Sequence, residues 1–217
     1  MIEGKLVTLR ELREEDLELL MNMRNKIAPE GVFRQYKPLT MLDQRRYWEG
    51  FANSPTTVLF VITAYVILED STEILASTVE DGNVRYVAAD LYDVVGEVRV
   101  GEINWRDRWG DLGLMIGKEY QRRGYGSEAL YLMLEHAFRA VGLNVIRAEV
   151  LEGSVAYDVC RKWGARHIGT SVQSSLVDGK LRNTELYDFN TWNWSINRKD
   201  IYESAIKPKL EHAPKTI

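Results

Sequence analysis

A segment in the second half of the chain does most to limit the fold. Residues 111–116 read as a strand, 117–121 as a loop, and the run QRRGYG (121–126) opens a helix that reaches about residue 141. Leu130, Leu134, Ala137 and Val141 recur at spacings of four, three and four, the stripe of a helix with one buried face. Gly142 stands where a left-handed residue closes such a helix. A helix N-terminus exposes unpaired N–H groups and a partial positive charge, so it can hold an anion. Gly124 and Gly126 remove side chains that would keep phosphates from the backbone. Arg122 and Arg123 add charge, and Ser127 adds a hydroxyl. A pyrophosphate is the natural guest. The run is not a P-loop, which would end in Lys-Ser/Thr, and a dinucleotide fold would need three glycines and an acidic residue after the next strand. Taken alone, it reads equally well as a glycine-rich turn with exposed arginines.

The flanking sequence supplies strands and helices in α+β order. Val7 and Leu9 alternate in a first strand, 5–10. Leu17, Leu20 and Met21 then mark a helix over about 14–25, whose first turn holds Glu14, Glu15 and Asp16. Pro29, Gly31 and Pro38 mark a loop, and Thr40 is placed to cap a helix to about residue 51. Strands are expected over 58–68, 74–79, 84–89, 94–103 and 145–150, with Asp81-Gly82-Asn83 as a hairpin turn. Ser154 can cap a short helix ending at Trp163-Gly164. Strands 166–176 and 181–189 join across Asp178-Gly179, and a short helix is expected in the tail near Trp192 and Trp194. The expected organisation is one domain over 1–190, with a strand-rich insertion around 57–84, and a tail from 191 to 217.

At 217 residues and 45% apolar, the chain can bury a sizeable core. A formal charge of −4 argues against a general nucleic-acid binder. The single cysteine, Cys160, rules out an internal disulfide and a cysteine-rich zinc site, and suits a reducing compartment. The longest apolar run, 58–68, falls well short of the ~20 residues that span a bilayer. Residues 1–5 have no apolar signal-type stretch. The expectation is a cytoplasmic protein with no membrane association. His136, His167 and His212 fit no metal-ligand spacing, so no metal is expected.

The run QRRGYG resembles the Q/R-x-x-G-x-G/A signature of the GNAT superfamily of N-acetyltransferases. The likeness extends beyond these six residues. Leu9-Arg10 followed by Glu15-Asp16 is similar to the opening strand and helix of the branch that includes the ribosomal-protein N-terminal acetyltransferases. Val95-Gly96-Glu97, then DLGLMIG (111–117), is similar to that branch's central hairpin. GSEAL (126–130) matches its helix and RKWGA (161–165) its closing "E-K-L-G-F". The resemblance implies a layered α/β/α fold with a mixed, mostly antiparallel sheet and a splay between the fourth and fifth core strands.

It also implies acetyl-CoA as co-substrate, with the pantetheine arm between strands 111–116 and 145–150. The backbone of Leu114, Met115 and Ile116 would pair with the arm, and an N–H near Met115 would serve the oxyanion. The diphosphate would be held by Gln121, Arg122, Arg123, Gly124, Tyr125, Gly126 and Ser127. Ser154 matches a position where relatives carry an asparagine at the cofactor arm; as a plain helix cap it reads equally well. Many members have a tyrosine, the acid for the leaving thiolate, where this chain has Cys160. Tyr157 lies three residues upstream on nearly the same helix face and is either the alternative acid or a ring that packs over the pantetheine. Base candidates are Glu97, Glu102 and Asp111, the last at the position where relatives often have glutamate.

By the same resemblance, the acceptor site draws on the first helices and final strands. Here these supply Arg24, Asn25, Arg34, Tyr36, Tyr47, Trp48, Trp105, Trp109 and Tyr187. Aromatic side chains with a few charges suit an amine on a small molecule or a peptide N-terminus. The expected partners are acetyl-CoA and such an amine. The segment 57–84 is open to a lid, a homodimer contact or plain elaboration. A different class of function on the same fold is a non-catalytic module that binds or senses acyl-CoA.

Overall fold

Alternating apolar residues build one large sheet. The computed structural model describes residues 1–28, 37–52, 54–65, 77–80, 83–86 and 92–211. Eight strands pair in the order β1 (Ile2–Glu3), β2 (Val7–Arg10), β3 (Val58–Tyr65), β6 (Tyr92–Asn104), β7 (Trp109–Ile116), β8 (Val145–Leu151), β10 (Lys180–Asn190), β9 (Arg166–Val177). Neighbours are antiparallel except β7 and β8, which run parallel. A separate pair, β4 (Ser77–Glu80) and β5 (Asn83–Tyr86), forms the expected hairpin, and its turn at Asp81-Gly82 lies outside the described residues. So do Pro29, Gly31, Arg34, Tyr36 and His212.

The helices cover both faces. On one side, α1 (Leu17–Ile27) buries Leu20, Met23 and Ile27 against Val61, Val94 and Met115. α2 (Met41–Ala52) packs beside α1. It begins as the sequence suggests: Thr40 Oγ1 accepts the Asp43 N–H at 3.2 Å, and the Asp43 carboxylate accepts the Thr40 N–H at 3.0 Å. The other face carries α3 (Tyr125–Arg139), α4 (Val155–Lys162) and α5 (Thr191–Ile201) over a larger core that includes Met133, Leu134, Ile146, Tyr187 and Trp194.

Two departures from the sequence reading have clear physical causes. β2 starts at Val7 rather than residue 5 because the Lys5, Leu6 and Val7 N–H groups all turn toward the buried Glu128 carboxylate on α3, at 2.9, 2.6 and 2.9 Å. The Lys5 and Leu6 donors are thus withdrawn from the sheet, and Val7, also bound to Glu128, is the first of the three to pair with β3. The tail helix is also much longer than expected. α5 passes through a π-helical turn (Tyr202–Ile206) into α6 (Lys207–Glu211). Trp194 and Ile201, two turns apart, are buried, and so is Ile206. An i→i+5 turn lets Ile206, five residues after Ile201, face the same core.

Candidate active site

The parallel pairing of β7 and β8 is brief: Trp109 faces Val145, Gly110 faces Ile146 and Asp111 faces Arg147. Past that point, among the described residues, each strand is paired with its outer neighbour alone. β7 stays with β6 as far as Ile116, and β8 stays with β10 as far as Leu151. The facing edges therefore open into a fork. The N–H of Gly117 donates to the Val95 carbonyl at 2.9 Å, which sets the phase of the β6–β7 ladder. Alternation then turns the peptide groups of Gly113 and Met115 toward β6 and those of Leu114 and Ile116 into the fork. This corrects one expectation: the Met115 N–H faces Glu97 on β6, its register partner, and is not available at the fork.

The wide end of the fork leads to the glycine loop. Gln121 Nε2 donates to the Ile116 carbonyl at 3.0 Å, so this side chain ties the loop to the end of β7. Arg122 (φ 65°) and Gly124 (φ 94°) both take left-handed backbone, and Gly124 is the N-cap of α3. A β-carbon on Gly126 would lie 3.2 Å from Ile116 Cγ1, so glycine brings the first helical turn close against β7. Arg122 and Arg123 are exposed, Tyr125 is buried and Ser127 half-buried. The α3 N-terminus thus points its N–H groups along the mouth of the fork.

Asp111 marks the narrow end. Like Met115, four residues on, it projects toward the α1 side. Partial burial pushes its carboxyl above the usual range, while Arg147 opposes the shift and Glu102 adds to it. Arg147 stacks over Trp109 at 3.8 Å. Glu102 is exposed, at a left-handed position (φ 52°) where the β6–β7 register slips. Glu97 is buried, and one of its oxygens accepts from Arg24 at 2.7 Å. Burial raises its carboxyl and Arg24 counters this. The second oxygen has no hydrogen-bond partner among the described residues.

The opposite face carries α4. Ser154 Oγ accepts the Tyr157 N–H at 3.2 Å and so serves as the helix cap. The Tyr157 ring meets Tyr187 edge-on, centroids 6.1 Å apart. Tyr187 sits across from Ala148, the first β8 residue beyond the parallel pairing. Cys160 is buried in the core, where loss of water pushes its thiol up to about 12. That makes it a weaker acid than an ordinary thiol and gives it the surroundings of a packing residue. Cys160→Ala should leave turnover within about twofold of wild type and cost about 1 kcal/mol on unfolding, as a small core truncation does. A fall in kcat without loss of stability would restore the thiol to the chemistry.

The acceptor candidates divide between the faces. Arg24 lies over the Tyr47 ring at 4.8 Å, on the α1 side with Glu97. Asn25 holds the Leu39 backbone through both amide atoms, at 3.0 and 2.8 Å. Trp48 is half-buried on α2, and Trp105 donates to the Pro55 carbonyl at 2.9 Å. Tyr187 belongs with Tyr157 under α4, away from the other acceptor candidates. His167 contacts Glu185 at 2.6 Å and His136 packs on Phe60. Among the described residues, no group of three or more His, Cys, Asp or Glu gathers as metal ligands, and no helix is long and apolar enough to cross a membrane. Sequence reasoning missed the role of Glu128, although a carboxylate in the first turn of the key helix was a visible signal.

Comparison with known proteins agrees with this architecture. Residues 7–166 match the model of the acetyltransferase (GNAT) domain. No curated protein matches the sequence. The fold is similar to spermidine N-acetyltransferase from Vibrio cholerae, solved with CoA and spermine, at TM-score 0.69 and 16% identity over 88% of this chain and 99% of that one. It is also similar to Mycobacterium smegmatis RimJ, solved with CoA-disulfide, at TM-score 0.68 and 19% identity over 92% and 88%. A GCN5-related N-acetyltransferase from Brucella melitensis aligns at TM-score 0.65 and 15% identity over 93% and 83%. With the domain model spanning most of the chain and the forked sheet in place, this protein belongs to the GNAT family of acetyltransferases.

Proposed function

We propose that the chain is an acetyl-CoA-dependent N-acetyltransferase, moving the acetyl group to a primary amine of a small molecule or a protein N-terminus by direct attack in a ternary complex. The observation that carries this reading is the fork, open along Leu114 and Ile116 and continuous with the N-terminus of α3. Its residues fit the co-substrate. The Ile116 carbonyl is already taken by Gln121, but the Leu114 N–H and carbonyl and the Ile116 N–H face the fork and need hydrogen-bond partners, which the pantetheine amides supply. The α3 amides, Arg122, Arg123 and the Ser127 hydroxyl suit the phosphates. Met115, Gln121 and Ser154 act at one remove: Met115 packs against α1, Gln121 anchors the loop and Ser154 caps α4.

Acetyl-CoA brings the activated acyl group, and the protein handles charge and protons. Asp111, on the α1 side, takes the proton from the attacking amine, directly or through one water. The Leu114 N–H stabilises negative charge on the acetyl oxygen as the C–N bond forms. Tyr157, on the α4 side, gives a proton to the sulfur as the C–S bond breaks. Placing base and acid on opposite faces of the sheet keeps the two transfers apart. Exposed Glu102 acts through the field it adds at Asp111. The acceptor approaches from the Arg24 and Tyr47 side.

Calorimetric titration with acetyl-CoA tests the reading. Wild type should bind in the micromolar range, and Arg123→Glu combined with Gly124→Asp should weaken binding at least about 100-fold, since two negative charges replace a cationic, left-handed cradle. A folded wild type that binds no acetyl-CoA would sink the proposal. Binding without turnover on a panel of peptide and small-molecule amines would favour a sensing module, a reading to which Cys160 in place of the family tyrosine lends support.

A further inference from the structure

The tail helix ends at the cofactor loop. α5 packs across α3 and α4, with Trp194 contacting Tyr131, Phe138 and Trp163. The π-helical turn carries the chain along α3, where Tyr202 meets Tyr131 at 5.7 Å. One turn further on, Lys209 lies over the first glycine of the motif. A β-carbon at Gly124 would sit 2.8 Å from Lys209 Cδ and 3.2 Å from its Cβ. Leu6 closes the other side at 3.1 Å. The absence of a side chain at Gly124 therefore admits a lysine stem from about 85 residues downstream, as well as a left-handed turn.

We propose that Lys209 is a cofactor-binding residue, its stem covering Gly124 and its ammonium joining Arg122 and Arg123 around the phosphates of acetyl-CoA. The Lys209 side chain is exposed, and only two bonds separate its Cδ from the charge. That keeps the ammonium within about one helical turn, ~5.4 Å, of the α3 N-terminus. Lys207, by contrast, pairs with Glu203 at 2.7 Å. The chain as a whole is acidic, with a net charge of −4, whereas this rim collects Arg122, Arg123 and Lys209. Such a local field favours a polyanion. The π-helical turn that buries Ile206 also sets the phase at which Lys209 meets the loop.

The inference rests on the acetyl-CoA reading, and the test separates the two. Acetyl-CoA and 3′-dephospho-CoA would be titrated calorimetrically into wild type, Lys209→Met, Lys209→Arg and Lys209→Ala, with melting temperatures recorded alongside. Lys209→Met keeps the stem and loses the charge. It should bind acetyl-CoA about tenfold more weakly with an unchanged melting temperature, while Lys209→Arg stays within about twofold. The deficit should shrink at 1 M salt, where screening acts over about 3 Å. A deficit that disappears with 3′-dephospho-CoA assigns the ammonium to the 3′-phosphate, and one that persists assigns it to the diphosphate; both support the proposal. Wild-type affinity in Lys209→Met overturns it, including the case where only Lys209→Ala is impaired and the stem merely packs. Failure of wild type to bind acetyl-CoA would overturn the parent reading instead.

Discussion

Glu128→Ala should be the most damaging single truncation outside the hydrophobic core, lowering stability by about 3 kcal/mol and the melting temperature by about 6–12 °C. The side chain is only 3% exposed, and its carboxylate accepts the N–H groups of Lys5, Leu6 and Val7. Hydrogen bonds to a charged acceptor are worth about 1.5–3 kcal/mol each, and water recovers part of that where Lys5 and Leu6 reach the surface. The carboxylate also sits in the first turn of α3, where the helix favours negative charge. Leu6 lies against Gly124 as well, so releasing this segment should loosen the glycine loop and weaken acetyl-CoA binding several-fold. Glu128→Gln keeps one acceptor oxygen without the charge, and about half the loss should return. Thermal unfolding followed by circular dichroism measures both variants. A shift under about 2 °C for Glu128→Ala would mean that solvent replaces the carboxylate at little cost.

The sequence was most legible where one side of an element is apolar. The stripe Leu130, Leu134, Ala137 predicts a helix over 124–141, and α3 runs Tyr125–Arg139. Gly142 (φ 79°) follows, and Leu143 donates back to Ala137 at 2.9 Å. Asp178 (φ 49°) and Gly179 (φ 73°) make the left-handed pair expected of a two-residue hairpin turn. The tail was poorly legible because few of its residues carry the packing: Trp194, Ile201 and Ile206 are buried at spacings of seven and five, a pattern that no regular helix repeats. Peptide direction was equally hidden. Leu114, Met115 and Ile116 look alike as a group, and only the bond from Gly117 to Val95 shows which of them face the fork. Cys160 and Tyr157 share a helix, yet the first is buried in the core with its thiol pushed up to about 12 while the second lies beside Tyr187.

Asp111→Asn should lower kcat by about 100-fold or more while leaving acetyl-CoA affinity within about threefold, because positioned general bases contribute 10²–10⁴-fold and this residue precedes the cofactor-facing part of β7. The pH dependence gives the sharper test. A base must be ionised to act, so wild-type kcat/KM should rise as pH climbs through the Asp111 ionisation. Burial raises that ionisation, so the acid limb should fall above the ordinary carboxylate range. Arg147→Ala removes the cation that opposes the shift and should move the limb further upward. Asp111→Asn should abolish the limb. Tyr157→Phe should instead act on the leaving group, lowering kcat while the acid limb stays in place. It should be rescued in part by acyl donors whose thiol is more acidic than that of CoA, since these need less protonation. An Asp111→Asn enzyme with near-normal kcat and an unaltered acid limb would transfer the role of base to another group, with buried Glu97 and its unpartnered oxygen the next to test.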